Sequence, residues 1–280
     1  MRIAFLGLGR MGTELATHLA GTSHELTVWN RTRDKAEPLA DKGATVADSA
    51  AEAVEGADVV LSTLFGPATV REVVLEGDLP FGPETVWVDI TTVSPDEARD
   101  FAAWAQRAGV SYVHSPVVGS LGPARQSALG VLIGGPAAAV ATIRPLVSLW
   151  ADPDRIHVYD EPAKAAASKL VANLALATAM QGVAEALRLG RGGGLSTEEV
   201  LAQLADKTAL SVIVGMKGDA VRAGEYDDAQ FSVNALAKDA GLMVATAGTP
   251  LPALTAAFVA LEHAKAAGQG ESDFSVIAAD

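Results

Sequence analysis

Arg2-Ile3-Ala4-Phe5-Leu6-Gly7-Leu8-Gly9-Arg10-Met11-Gly12 is the stretch whose reading decides the fold. The apolar residues up to Leu6 read as a short buried strand, and a helical pattern follows through Glu14 to Leu19. The glycines between them have the G-x-G-x-x-G spacing in the strand–turn–helix setting that a dinucleotide phosphate requires. Gly7 permits the tight turn, Gly9 lets backbone approach a pyrophosphate, and Gly12 lets helix and strand pack closely. The helix start then presents free N–H groups and a partial positive charge to the anion. Gly7, Leu8, Gly9, Arg10, Met11 and Gly12 are therefore the first candidate cofactor residues.

Outward from this motif, Leu26–Trp29, Val59–Ser62, Val86–Asp89, Tyr112–Ser115 and Gly130–Gly134 read as further strands alternating with helical stretches. That alternation implies a Rossmann-type, doubly wound, mainly parallel sheet. After about Pro162 the β-rich runs stop, and Ala163–Leu189, rich in alanine and free of proline, reads as one helix of about seven turns. The expected architecture is α/β: a nucleotide-binding domain over residues 1–161 and an all-helical substrate and dimerisation domain over 162–280, joined by that long helix. A length of 280 residues agrees with two domains at roughly 150 residues each.

Composition narrows the classes further. A formal net charge of −13 with no dense Lys/Arg stripe argues against nucleic acid as a partner. The absence of cysteine excludes disulfides and thiolate chemistry, and fits a cytoplasmic setting. The uncharged run Ala240–Leu261 is long enough for a bilayer, but Gly248, Pro250 and Pro252 interrupt it, so two soluble helices are expected and no membrane partner. The five histidines, His18, His24, His114, His157 and His263, show no metal-ligand spacing, so no metal site is expected.

At the end of the second strand, where an acid would hold the ribose 2′-hydroxyl of NAD, the chain has Asn30-Arg31-Thr32-Arg33, and no carboxylate before Asp34. A 2′-phosphate would be matched by the Arg31 guanidinium and by donors on Asn30 and Thr32. NADP is the expected cofactor, with NADPH preferred over NADH.

Several ordered stations carry a resemblance: Gly7–Gly12; Asp89-Ile90-Thr91-Thr92-Val93-Ser94-Pro95; Ser115-Pro116-Val117-Val118-Gly119-Ser120; Lys169 with Asn173; Lys238-Asp239; and Gly268-Gln269-Gly270 before Asp273. Over essentially its whole length the chain resembles the β-hydroxyacid dehydrogenase family, which includes 3-hydroxyisobutyrate dehydrogenases, tartronate semialdehyde reductases and glyoxylate/succinic semialdehyde reductases. Lys169 and Asn173 are four residues apart, so a helix puts them on one face. The resemblance implies that Lys169 is the general acid/base and that Asn173 holds the substrate. It also implies that Thr92 contacts the nicotinamide side of the cofactor, and that the region of Phe231, Lys238 and Asp239 closes over nicotinamide and lysine. Lys238 would face cofactor phosphate or ribose. Asp239 would orient Lys169 or sit in a helix-surface ion pair, and Phe231 is either core or a wall against water. Ser94 with Pro95 reads as a helix start.

In one respect the chain departs from the family. The family serine that offers a hydroxyl to a substrate carboxylate is Val118 here, leaving Gly119 and Ser120 as the remaining donors of the anion site. The activity implied is hydride transfer, at a cleft between the domains, between NADP(H) and a small β-hydroxyacid, semialdehyde or related carbonyl compound. The protein would act as a homodimer or homotetramer built through the helical half. Two other readings stay open: an imine reductase of the same fold, which commonly carries Asp or Tyr in place of Lys169, and a non-catalytic NADPH-binding sensor, which has no need of the Lys169/Asn173 pair.

Overall fold

The computed structural model describes residues 1–279. Its strands are β1 (Arg2–Leu6), β2 (Glu25–Trp29), β3 (Thr45–Val46), β4 (Val59–Ser62), β5 (Val86–Asp89), β6 (Ser111–His114), β7 (Val117–Val118), β8 (Leu129–Gly134) and β9 (Ala151–Tyr159). The α-helices are α1 (Arg10–Leu19), α2 (Glu37–Ala40), α3 (Ala50–Val54), α4 (Pro67–Val70), α5 (Pro95–Arg107), α6 (Leu121–Arg125), α7 (Ala137–Val147), α8 (Pro162–Gly192), α9 (Thr197–Ala205), α10 (Ser211–Ala223), α11 (Val233–Ala247) and α12 (Pro252–Ala266). They form two compact units, Met1–Lys169 and a second that begins at Leu170.

In the first unit the sheet order is β3-β2-β1-β4-β5-β6-β8-β7, with β9 paired to β8. Strands β1 to β6 pair in parallel, β8 runs antiparallel to β6 and β7, and β9 is parallel to β8. Both faces are covered, as a parallel sheet requires. Ile3 and Phe5 enter one core with Leu15, Val28 and Ile133, while Ala4 and Leu6 enter another with Trp87, Phe101 and Tyr112. The chain turns outward to opposite sides of β1, through β2 and through β4, so the crevice beyond the C-terminal ends of these strands is the topological switch point where such folds take ligands.

Three strands escape the sequence reading, each for a physical reason. β3 and β7 are two residues long, too short to show alternation. β9 contains Asp152-Pro153-Asp154-Arg155 and is largely exposed; a proline is tolerated where a ladder amide is not needed, and the register against β8 shifts between Leu129 and Val131. Ser94 caps α5 as expected, in a capping box with Glu97 and with Pro95 in the first turn.

Helix α8 runs from Pro162 to Gly192, slightly beyond both ends of the expected span. Among the described residues it is the one helix long and apolar enough to cross a membrane. Part of its apolar surface is used in packing: Ala166 joins the Trp87 core, and Leu170, Ala177, Met180, Val183, Ala184 and Leu187 join the core of the second unit, while Val171 and Leu189 are exposed. The run Ala240–Leu261 is divided as expected, by a left-handed Gly248 after α11 and by Pro252 at the start of α12.

Candidate functional site

The turn after β1 has the geometry of a phosphate cradle. Gly7 has φ +96°, and a Cβ there would lie 2.4 Å from the Thr63 carbonyl oxygen and 2.9 Å from Leu64 Cδ2. A Cβ on Gly12 would lie 2.1 Å from the Gly7 carbonyl oxygen, so α1 can approach the turn only as glycine. Gly9 differs: the space beyond its Cα is open. It is the N-cap of α1, no side chain caps the helix, and helical geometry leaves the first-turn amides without intrahelical acceptors. Open space at Gly9, together with these donors, fits a dinucleotide pyrophosphate. Arg10 is exposed and Met11 half-buried, whereas the Leu8 side chain is core, and its amide donates to Asn30 Oδ1 at 2.9 Å.

Asn30 is spent on both sides of this cradle, since its Nδ2 donates to the Thr32 carbonyl at 2.8 Å. Beyond it the two arginines differ. Arg33 is ion-paired with Glu37 at 2.8 Å and with Asp48. Arg31 is exposed, and among the described residues no acid pairs with it; Thr32 is exposed beside it.

The loops after β4 and β5 converge on the same edge. Thr91 is buried, its amide donating to Asp89 Oδ1 (3.1 Å) and its hydroxyl accepting from the Leu64 amide (3.0 Å); Thr92 next to it is half-buried. Asp89 is the centre of a polar cluster that sequence reasoning missed. In register it faces Ser62 on β4 and His114 on β6. Ser62 Oγ donates to Asp89 Oδ1 at 3.0 Å and accepts from Trp87 Nε1 at 2.9 Å. The Tyr112 hydroxyl donates to Asp89 Oδ2 at 3.4 Å and lies 3.3 Å from His114 Nδ1. Burial dominates the titration of all three groups: it pushes Asp89 up to about 6, pushes the Tyr112 phenol well above its usual range, and pulls His114 down to about 3. The available signal was a carboxylate ending an otherwise apolar strand.

Val118 lies in β7 opposite Gly130, half-buried. Gly119 follows with φ +138°, and Ser120 is the N-cap of α6 without using its side chain as the cap.

Lys169 is half-buried on α8, one turn before Asn173. Asn173 is 4% exposed and donates from Nδ2 to Asp239 Oδ2 at 2.6 Å. Asp239, on α11, is buried rather than on a helix surface, and its Oδ1 lies 2.6 Å from Lys238 Nζ, an ion-pair approach outside hydrogen-bonding angles. Asn173, Lys238 and Asp239 are thus brought together across 66 residues of chain. Phe231 packs edge-on against Phe274, with ring centroids 6.1 Å apart, and the Phe231 and Gln230 amides point at Asp273 Oδ2, which Lys217 Nζ approaches to 2.7 Å. The buried Lys217–Asp273 pair was not anticipated from sequence.

Two family models divide the chain between them: the NAD binding domain of 6-phosphogluconate dehydrogenase matches residues 2–159, and the NAD-binding domain of NADP-dependent 3-hydroxyisobutyrate dehydrogenase matches residues 163–279. The chain is 34% identical to a 3-hydroxyisobutyrate dehydrogenase of Pseudomonas aeruginosa, covering 98% of this chain and 96% of that one. It is 32% identical to an NAD-dependent L-serine dehydrogenase of the same organism, covering 99% and 96%. Among solved structures, the 3-hydroxyisobutyrate dehydrogenase of Mycobacterium tuberculosis with L-serine superposes with a TM-score of 0.85 at 27% identity, covering 99% of this chain and 97% of that one.

Proposed function

The chain belongs to the β-hydroxyacid dehydrogenase superfamily, as a 3-hydroxyisobutyrate dehydrogenase-like oxidoreductase that binds NAD(P), and from that premise we propose that it is an NADP-preferring enzyme interconverting a small β-hydroxyacid and its semialdehyde, or a closely related carbonyl pair. The observation that carries the reading is Lys169 one helical turn from an Asn173 whose amide is held by a buried Asp239.

When bound, the nicotinamide supplies or accepts the hydride. Lys169 gives the proton to the carbonyl oxygen in reduction and removes it from the alcohol in oxidation, a contribution worth roughly 10²–10⁴ in rate. Asn173, oriented by Asp239, holds the substrate oxygen, and Phe231 keeps water from the reacting carbon. Lys238 faces cofactor phosphate or ribose, and Thr92 the nicotinamide side. Gly119 and Ser120 donate to the substrate carboxylate, while the methyls of Val118 favour a substrate with more hydrocarbon near the reacting carbon than glyoxylate has. The Gly7–Gly12 turn takes the pyrophosphate and Arg31, with Thr32, takes the 2′-phosphate, while Asn30, expected to donate there too, is already bonded to Leu8 and Thr32 and spaces the two. The helical half is assigned the contacts of a homodimer or homotetramer.

The test is a turnover panel with NADPH and NADH against 3-hydroxyacids, succinic, tartronic and methylmalonic semialdehydes, glyoxylate and cyclic imines. Fastest turnover is expected with NADPH and a branched semialdehyde or its hydroxyacid, and Lys169→Ala should lose turnover while still binding cofactor. Turnover of imines alone, or cofactor binding without any turnover, overturns the reading in favour of an imine reductase or a sensor.

A further inference from the structure

Three loops meet beyond the C-terminal ends of β1, β4 and β5, and one buried carboxylate ties them. Asp89 Oδ1 accepts from the Thr91 amide, so the loop after β5 is held at its first turn. Thr91 in turn accepts the Leu64 amide on its hydroxyl, which holds the loop after β4. That loop then packs against the first: the Thr63 carbonyl and the Leu64 side chain occupy the place a Cβ on Gly7 would need. From Asp89 to the phosphate-binding turn there are two hydrogen bonds and one van der Waals contact. The loop after β4 is also held directly to the end of β1, by the Thr63 amide donating to the Leu6 carbonyl at 2.9 Å, so the Asp89 tether acts one residue further on, at Leu64.

Resting on the dinucleotide-binding reading, we infer that Asp89 is a positioning residue for the cofactor: through Thr91 it sets the loop after β4 against the Gly7 turn, and with it the depth of the pyrophosphate cradle. It touches neither substrate nor the reacting atoms. The groups facing it are Ser62 from β4, Tyr112 and His114 from β6, and Thr91 from its own loop. The helices on this face contribute apolar side chains, Ala98 and Phe101 from α5 and Ala166 from α8, while Arg71 lies over the far side of Phe101 and pairs with Asp100. No cation therefore holds Asp89 ionised. A carboxylate is a stronger acceptor than a carboxylic acid, so the tether weakens when Asp89 takes a proton. With Asp89 pushed up to about 6, this happens close to neutral pH.

The experiment measures dissociation constants for NADH, which has no 2′-phosphate to titrate, by its fluorescence between pH 5 and pH 8.5. In parallel, hydrogen exchange at the Leu64 amide is followed in cofactor-free protein. The wild-type chain should bind more weakly as pH falls through about 6. Asp89→Ala should raise the dissociation constant about tenfold, the loss of one hydrogen bond to a charged group, and remove protection at Leu64. Asp89→Asn keeps an acceptor for Thr91 and should restore affinity to within a few fold while abolishing the inflection. Thr91→Val, which cuts the link to Leu64 and leaves Asp89 in place, should weaken binding as Asp89→Ala does, and it carries the test if the alanine variant does not fold. Lost Leu64 protection with wild-type dissociation constants reduces Asp89 to a structural residue and overturns the inference. Unchanged protection and affinity in both Asp89→Ala and Thr91→Val do the same. A wild-type chain that protects Leu64 but binds no dinucleotide refutes the cofactor reading itself, a result distinct from either.

Discussion

Each half of the molecule buries an acid, and the two are solvated in opposite ways. Asp89, at the end of β5, is fully buried and receives only neutral donors: a serine hydroxyl, a tyrosine hydroxyl, and the amide and hydroxyl of Thr91. Asp273, before the C-terminal 3₁₀ turn (Phe274–Ala278), is 3% exposed but receives Lys217 Nζ at 2.7 Å together with the Gln230 amide and both the amide and hydroxyl of Ser275. The Lys217 ammonium also lies over the Phe274 ring, 4.9 Å from its centroid. A buried charge with a countercharge and saturated lone pairs is a permanent anchor, here for Phe231 and the end of the chain. One with neutral donors alone stays close to its protonation threshold. Asp273 in the helical half thus holds a shape, whereas Asp89 in the sheet half can change state.

This contrast can be broken from the helical side first. Lys217→Met should cost about 3–5 kcal/mol in urea unfolding, because Asp273 is left charged, buried and without its cation. Adding Asp273→Leu should recover much of that loss, since a well-packed apolar pair can match a buried ion pair. A single variant as stable as wild type would show that the pair is not buried in solution.

The next effect belongs to His114. Its folded-state value is depressed from 6.5 to about 3, so its contribution is intact above pH 6.5 and is lost as pH falls towards 3, when the unfolded chain takes the proton and the folded one does not. Asp89 has the opposite sign: raised from 3.8 to about 6, it contributes fully below 3.8 and that contribution is lost as pH rises through 6. Across the strand pair the two slopes oppose each other between roughly pH 6 and 4. His114→Gln should therefore flatten or reverse the acid destabilisation of wild type, by roughly 3 kcal/mol between pH 6.5 and 4. Parallel stability–pH curves for variant and wild type would remove His114 from this balance.

Asp89→Asn, which cannot ionise, should be more stable than wild type by about 3 kcal/mol at pH 8, with the difference shrinking towards pH 4. Thermal melts across that range decide it, and a variant destabilised at pH 8 would mean that the carboxylate is better solvated than its surroundings indicate. The smallest expected effect repeats the contrast at the surface: Arg33 is committed to Glu37 and Asp48, Arg31 to no acid among the described residues. Arg31→Ala should raise the Michaelis constant for NADPH about fivefold and leave that for NADH nearly unchanged. Arg33→Ala should move both little, and equal losses for the two cofactors in Arg31→Ala would end the assignment of NADP preference to that residue.

Local periodicity made much of the architecture legible. β1, β4 and β5 are dense apolar runs of four or five residues and stand where their sequence put them, and Ser94 followed by Pro95 announced a helix start. Lys169 and Asn173 share a helix face because their spacing is a property of the helix alone. What could not be read depends on register between distant segments. Ser62, Asp89 and His114 each end a different strand, and only strand pairing puts them in one row. The same holds for Asn173 meeting Asp239, and for Lys217 meeting Asp273 across 56 residues. The strands β3, β7 and β9 stayed hidden because short or polar edge strands carry no hydrophobic alternation to read.

Asn30 has a consequence for redesign. By accepting the Leu8 amide and donating to the Thr32 carbonyl, its side chain acts as a spacer between the turn assigned to the pyrophosphate and the residues assigned to the ribose. The separation of two recognition elements is thus held by a residue that need not recognise anything. Exchanging cofactor preference at positions 31 and 32 is then a substitution of identity at constant length, in which the contributions of adenosine and diphosphate fragments stay additive. Shortening the spacer by Asn30→Ala would decouple the two ends, so that the intact dinucleotide binds less tightly than its separate fragments lead one to expect.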